Sequence, residues 1–144
     1  LFRSARIIKY GTSDYDKMVA LRYKILRAPL GLTFSAEYLE KEKEDMLCVC
    51  ENEGQIVGCC ILTPIDKNIV QLRQMAVEDS TQKKGIGAKL LLFAEESAKA
   101  NGFDKIVLHA RKVAIGFYLK YNYGIVGDEF EEVGIPHFEM QKML

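Results

Sequence analysis

The stretch that decides the fold is Ile69-Val70-Gln71-Leu72-Arg73-Gln74-Met75-Ala76-Val77, followed after a polar connection by Gln82-Lys83-Lys84-Gly85-Ile86-Gly87-Ala88. Residues 69–77 are rich in β-branched and apolar side chains and read as a strand. Beyond the glycines, Ile86, Leu90, Leu91, Ala94 and Ala98 recur as one apolar stripe at helical spacing, and Asn101-Gly102 closes the helix. A glycine turn between strand and helix leaves backbone N–H groups unpaired at the positive end of the helix dipole, an arrangement that suits a phosphate. Lys83 and Lys84 add mobile positive charge there. Two familiar phosphate loops do not fit. No Gly-x-x-x-x-Gly-Lys-Ser/Thr string occurs, and the dinucleotide fingerprint needs a third glycine where this chain has Leu90.

Working outward toward the N-terminus, Arg6 to Tyr10 reads as a strand, and Gly11-Thr12-Ser13-Asp14 offers caps for a helix to about Arg27, stopped by Pro29 and Gly31. A charged helix is expected from Ala36 to Lys43. Met46 to Cys50 and Gln55 to Leu62 flank Asn52-Glu53-Gly54, the signature of a hairpin, with Pro64 ending its second arm. Toward the C-terminus, Lys105 to His109 reads as a strand and Val113 to Tyr121 as a short amphipathic helix. Two last strands, Tyr123 to Glu129 and His137 to Lys142, are joined through Val133-Gly134-Ile135-Pro136. The order β, α, α, β, β, β, α, β, α, β, β predicts an α/β (α+β) fold: a mixed, mostly antiparallel central sheet with helices on both faces. With no internal repeat or linker, residues 1–144 are expected to form one domain.

The 144 residues carry 20 Lys and Arg against 20 Asp and Glu, and 49% are hydrophobic. That composition argues against disorder, and the balanced charge argues against nucleic acid or an anionic membrane surface as partner. No apolar run reaches the ~18 residues of a membrane span, and Leu1 to Tyr10 lacks a signal-peptide core. A cytoplasmic protein is expected. Because residue 1 is Leu, the native start is expected to be missing or altered. Cys48, Cys50, Cys59 and Cys60 lack a usual zinc-knuckle spacing; they are expected to be buried thiols in a reducing compartment, with no metal.

The string Gln82 to Gly87 fits Arg/Gln-x-x-Gly-x-Gly/Ala, and here the sequence resembles the GNAT N-acetyltransferase family, in which this loop wraps the pyrophosphate of acetyl-coenzyme A. The resemblance runs through nearly the whole chain in the order of elements. That family tends to show Asn-x-x-Ala-x-x-Leu/Phe-Tyr-x-x-x-Gly-Phe downstream, and Ala114, Phe117 and Tyr118 match it. Arg111 stands at the common Asn, Asn122 at the Gly and Tyr123 at the Phe. The end, Gly134-Ile135-Pro136-His137, is similar to the start of the last strand in one bacterial subfamily, and Leu26-Arg27-Ala28-Pro29-Leu30-Gly31 resembles the end of that subfamily's first helix.

The resemblance implies an acetyltransferase moving acetyl from acetyl-coenzyme A to a small-molecule or peptide amine by direct attack. The backbone of Met75, Ala76 and Val77 would hold the pantetheine arm. Gln82, Lys83, Lys84, Gly85, Ile86, Gly87 and Ala88 would hold the pyrophosphate, with Arg111 and Phe117 also on the coenzyme side. Tyr118 takes the family's general-acid position. His109 and His137 are the candidate bases, able to accept a proton through water near neutral pH; Arg73, Glu78 and Glu139 are further acceptor-side candidates. The acceptor site is expected from residues 22–38 and the final hairpin. The cysteines, on the hairpin away from the thioester, give no reason to expect a covalent intermediate. Two other readings compete: a coenzyme-binding module that has lost transfer, and an interaction domain in which the glycine turn is only a helix cap. A homodimer is left open.

Overall fold

The computed structural model describes residues 3–79 and 85–144; Gln82, Lys83 and Lys84, expected to hold phosphate, lie outside the described residues. Seven strands form one sheet: β1 (Arg3–Ile8), β2 (Met46–Asn52), β3 (Gln55–Pro64), β4 (Ile69–Val77), β5 (Lys105–Arg111), β6 (Gly124–Glu132) and β7 (Ile135–Met143), in the order β1-β2-β3-β4-β5-β7-β6. Every neighbouring pair is antiparallel except β4 and β5. The helices are α1 (Ser13–Arg22), α2 (Ala36–Glu40), α3 (Ile86–Ala100) and α4 (Ile115–Lys120). The expected fold class and element order are those observed.

Strands β2 and β3 are apolar on both faces because each face is covered. Cys48, Cys50, Cys60 and Leu62 point into a core with Leu90, Leu91 and Ala94 of α3, whereas Leu47, Val49, Cys59 and Ile61 point into a second core with Met18 and Leu21 of α1. The four cysteines are thus buried, Cys48, Cys50 and Cys60 in the first layer and Cys59 in the second. Gly58 lets α3 approach the sheet: a Cβ there would lie 2.7 Å from Ile86 and from Leu90.

Several boundaries move from their expected places. The helix expected to reach Arg27 is α-helical only to Arg22. Pro29 lacks the N–H that would continue the ladder; the chain widens into a π turn at Tyr23–Arg27, tightens into a 3-10 turn at Ala28–Leu30, and is closed by Gly31 at φ +68°. The helix expected over residues 113–121 is a 3-10 turn followed by α4. Strand β5 runs on to Arg111, and Pro136, expected in a loop, lies inside β7. Pairing with β5 ends at His137, so Pro136 has a strand neighbour on one side only, where proline is tolerated.

An ion pair that no local pattern announced fastens α1 to the segment after α2. Arg22 donates to both oxygens of Glu42 at 2.8 Å, and the Tyr15 hydroxyl donates to the same carboxylate at 2.6 Å, all buried. Such a pair tolerates burial because each charge is met by the other and by hydrogen bonds.

Candidate active site

The site begins with a failure of pairing. Strands β4 and β5 are hydrogen-bonded only from Ile69–Leu72 to Lys105–Leu108, although β4 continues to Val77 and β5 to Arg111. The cause lies on the opposite edge of β4: between Cys59↔Ala76 and Ile61↔Arg73 the register shifts, so β4 carries one residue more than β3 there. Gln74 takes up the excess at φ +57°, a conformation costly for a side-chain-bearing residue. The Cys59 thiol donates to the Gln74 carbonyl at 3.7 Å. A bulge of this kind bends and twists its strand, and β4 parts from β5. Into the opening falls a cleft of about 920 Å³.

On the β4 side the cleft is lined by Met75 and Val77, while Ala76 alternates to the opposite face and is buried in the core beneath α1. Only the backbone of Ala76 can serve a ligand. Gly85, at φ +77°, starts α3 without any side-chain cap, and no acidic residue sits in the first turn. Gly85, Gly87 and Ala88 line the cleft, so the uncapped end of α3 faces it. Ile86, expected among the coenzyme-side residues, instead buries its side chain fully in the α3 core and can offer only its N–H. Phe117 also lines the cleft, and exposed Arg111 stands at its rim.

Tyr118 reaches the cleft from α4, buried and packed edge-on against Phe117 at 5.1 Å and Tyr123 at 5.7 Å. Burial pushes its phenol well above the ordinary tyrosine value, with Cys60 in the same core adding to the rise. The hairpin thiols are therefore nearer this residue than their place in the sequence suggests, yet none of them lines the cleft. Among the described residues the Tyr118 hydroxyl has no hydrogen-bond partner.

His109 and His137 both reach the cleft, and the structure brings a third group between them that sequence reasoning missed, Glu132. Its Oε1 lies 2.9 Å from His109 Nδ1 and its Oε2 3.7 Å from His137 Nε2. A carboxylate accepts only, so His109 Nδ1 carries the proton and Nε2 is left to act, 4.0 Å from Glu139. His137 Nδ1 donates to the Ile135 carbonyl at 2.7 Å, and Phe130 packs against both rings. Glu132 stands immediately before the tight turn Val133-Gly134, and pairing of β6 with β7 carries it to the histidines. A Glu before a Gly-bearing turn was the only local signal.

The far wall is cationic and aromatic. Arg73, an expected acceptor-side residue, donates to the Tyr38 hydroxyl at 2.6 Å and to Thr63 at 3.2 Å, and Gln74 donates to the same Tyr38 hydroxyl at 3.0 Å. Arg27, Tyr38 and Arg73 line the cleft. Glu78 is drawn elsewhere: Lys24 holds it at 2.5 Å and it does not line the cleft. Among the described residues no group of three or more His, Cys, Asp or Glu could hold a metal ion.

Against known proteins, an acetyltransferase (GNAT) domain matches residues 31–144. The chain is 36% identical over 104 residues to the uncharacterized protein YyaT of Bacillus subtilis, covering 72% of this chain and 68% of that one. It is 31% identical over 114 residues to "Probable N-acetyltransferase 14" of Xenopus tropicalis, covering 76% of this chain but only 55% of that protein's length. Among solved structures, a Lactobacillus plantarum protein assigned as an N-acetyltransferase superposes with a TM-score of 0.86 at 22% identity over 98% of this chain and 99% of that one. A GNAT family acetyltransferase of Elizabethkingia anophelis with acetyl-CoA bound gives 0.75 at 22% identity over 99% and 98%. At these identities the two structures speak for the fold, and the matched domain speaks for descent: the chain belongs to the GNAT acetyltransferase family.

Proposed function

We propose that this protein transfers an acetyl group from acetyl-coenzyme A to an amine by direct attack, with both substrates bound together. The observation that carries the reading is the parting of β4 from β5, which exposes a strand edge beside the uncapped start of α3 and the hydroxyl of Tyr118. The residues present fit the coenzyme. Backbone N–H and C=O groups of β4 beyond Leu72 have no partner strand on the β5 side and suit the amide-bearing arm, and the N–H groups opening α3 suit pyrophosphate. The bound relative from Elizabethkingia anophelis carries acetyl-CoA on the same fold. When bound, the coenzyme supplies a thioester whose carbonyl carbon accepts the amine and whose sulfur leaves.

This chain's groups meet the demands of that exchange. As the N–C bond forms and the C–S bond breaks, one amine proton must leave and one proton must reach sulfur. His109, its Nδ1–H held by Glu132, presents Nε2 to take the amine proton, directly or through one water. Glu132 steadies the imidazolium that results, as an orienting carboxylate does in other histidine bases. Tyr118 faces the leaving sulfur. A phenol raised above its usual value is a weaker acid than a thiol, so Tyr118 serves the growing thiolate as a hydrogen-bond donor, and the departing thiolate takes its proton from solvent.

A second reading keeps the coenzyme and drops the chemistry: Arg111, exposed where the family tends to have Asn, favours a binding module without turnover. Thermal unfolding with and without acetyl-coenzyme A, followed by free-thiol release with a panel of amines, separates the readings. A rise in Tm and amine-dependent thiol release are expected. An unchanged Tm sinks both coenzyme readings, and a rise without release across the panel leaves only the module. Residues 1–144 as a single domain, a cytoplasmic location suited to free buried thiols, and kinship with the Gly-Ile-Pro-His subfamily complete the proposal.

A further inference from the structure

The wall opposite the histidines is a continuous stack of cations and rings. The Arg22 guanidinium lies 4.6 Å from the Phe34 ring centre, that of Arg27 lies 4.5 Å from the same ring centre and 5.4 Å from that of Tyr38, and that of Arg73 lies 5.7 Å from that of Tyr38. The two ends of this stack are neutralised: Arg22 by Glu42 at 2.8 Å, and Arg73 by Asp45 at 4.0 Å. The middle member is not. Arg27 has no carboxylate partner among the described residues, is half-buried, and lines the cleft. Stacking on two rings holds its fork in place, and a half-buried guanidinium without a counter-charge attracts an anion into the space it faces.

Across the same cleft the sign reverses. Glu132 and Glu139 flank His109, which gives that end the character of an ammonium site. A cleft with a half-buried, ring-stacked guanidinium on one wall and carboxylates on the other matches a small molecule carrying both an amine and a carboxylate; Arg111 and Lys120, which also line it, are exposed and stand on β5 and α4. A phosphate, with about twice the charge, would meet at the Arg27 wall a single cation without a carboxylate partner among the described residues. A polycationic acceptor would meet the arginine stack unfavourably.

We propose that the acceptor is an amino-carboxylate, its carboxylate paired with Arg27 and its amine directed to His109 and Glu132. This assignment of substrate class rests on the acetyltransferase reading given above, but its anion site can be tested without it.

The experiment compares the full chain with Arg27→Gln and Arg27→Lys, using L-amino acids and their C-terminal amides as matched acceptors, with O-phosphoethanolamine as a third arm. In the unaltered protein kcat/KM for the free acids should exceed that for the amides by about tenfold or more, the scale of a charge-assisted hydrogen bond pair. Arg27→Gln should erase the gap by raising KM for the acids far more than for the amides, with the acetyl-coenzyme A-induced Tm rise retained. Arg27→Lys should restore part of it. Saturation-transfer NMR of the same acids and amides, on the unaltered protein and on Arg27→Gln, reads the anion site with no turnover required. If acetyl-coenzyme A neither binds nor reacts, the enzyme reading falls while selective binding of the acids, lost in Arg27→Gln, still supports the carboxylate site. Equal binding or use of acids and amides by the unaltered protein overturns the proposal, as does an equal loss on both in Arg27→Gln. Preference for O-phosphoethanolamine overturns the carboxylate class.

Discussion

Tyr118 and His109 divide the proton traffic of the site because their surroundings differ. Tyr118 is buried among rings and kept protonated, so it is placed to donate a hydrogen bond; His109 keeps one nitrogen on Glu132 and presents the other, 4.0 Å from Glu139, to take a proton. Replacing Tyr118 by Phe removes the donor while preserving the ring contacts with Phe117 and Tyr123. Turnover should fall by about 100- to 1,000-fold, the range for loss of one positioned donor, with the acetyl-coenzyme A-induced Tm rise retained. Unchanged kcat in Tyr118→Phe would remove the assignment. Tyr118 stands out in the sequence through the family resemblance that Ala114 and Phe117 carry beside it. Glu132 does not, since what gives it meaning is a contact with a residue 23 positions away.

Among the elements, the bulges do the functional work. The extra residue at Gln74 ends the pairing of β4 with β5 and so creates the cleft. A second irregularity, between Val126 and Phe130 with Gly127 at φ +78°, resets β6 so that Phe130 lies opposite His137 and Glu132 ends beside the histidines. The β6–β7 turn then holds Val133 at φ +49° and Gly134 at φ +74°, both left-handed. Two such residues in succession define a type I′ turn, which favours Asn-Gly and penalises a β-branched residue. Val133→Asn should stabilise the fold by about 1 kcal/mol, read as a higher urea midpoint with an unchanged slope. A lower midpoint would show that the exposed valine makes contacts worth more than its backbone strain.

At the scale of the whole molecule, the buried thiols and phenols tie stability to alkaline pH. Burial raises Tyr15, Tyr118 and Tyr123 well above the ordinary tyrosine value and Cys59 up to about 12. Cys60 is raised by its hydrogen bond with Cys48 and then by burial. In the unfolded chain these groups lose protons near their ordinary values, about 9 for thiols and 10 for phenols. The folded state then holds more protons than the unfolded one, so stability is complete below about pH 8.5 and falls as pH rises beyond it, by up to about 1.4 kcal/mol per pH unit for each group. Tm should be level from pH 7 to 8 and decline steeply from about pH 9. A level Tm to pH 11 would contradict the burial of these groups.

The sequence by itself determined the strand at residues 69–77, the helix at residues 86–100, the order of the remaining elements and the fold class they imply. Each of these rests on periodicity or on residues close together in the chain, which local physics can read. Only the tertiary structure decided that Ala76 and Ile86 turn into the cores, that Glu132 bridges His109 and His137, and that Arg27 stacks on Phe34 and Tyr38. Those outcomes depend on register, which one inserted residue in a strand resets, and on side chains brought together from β4, β6 and the turn after α1. No spacing along the chain encodes such distances.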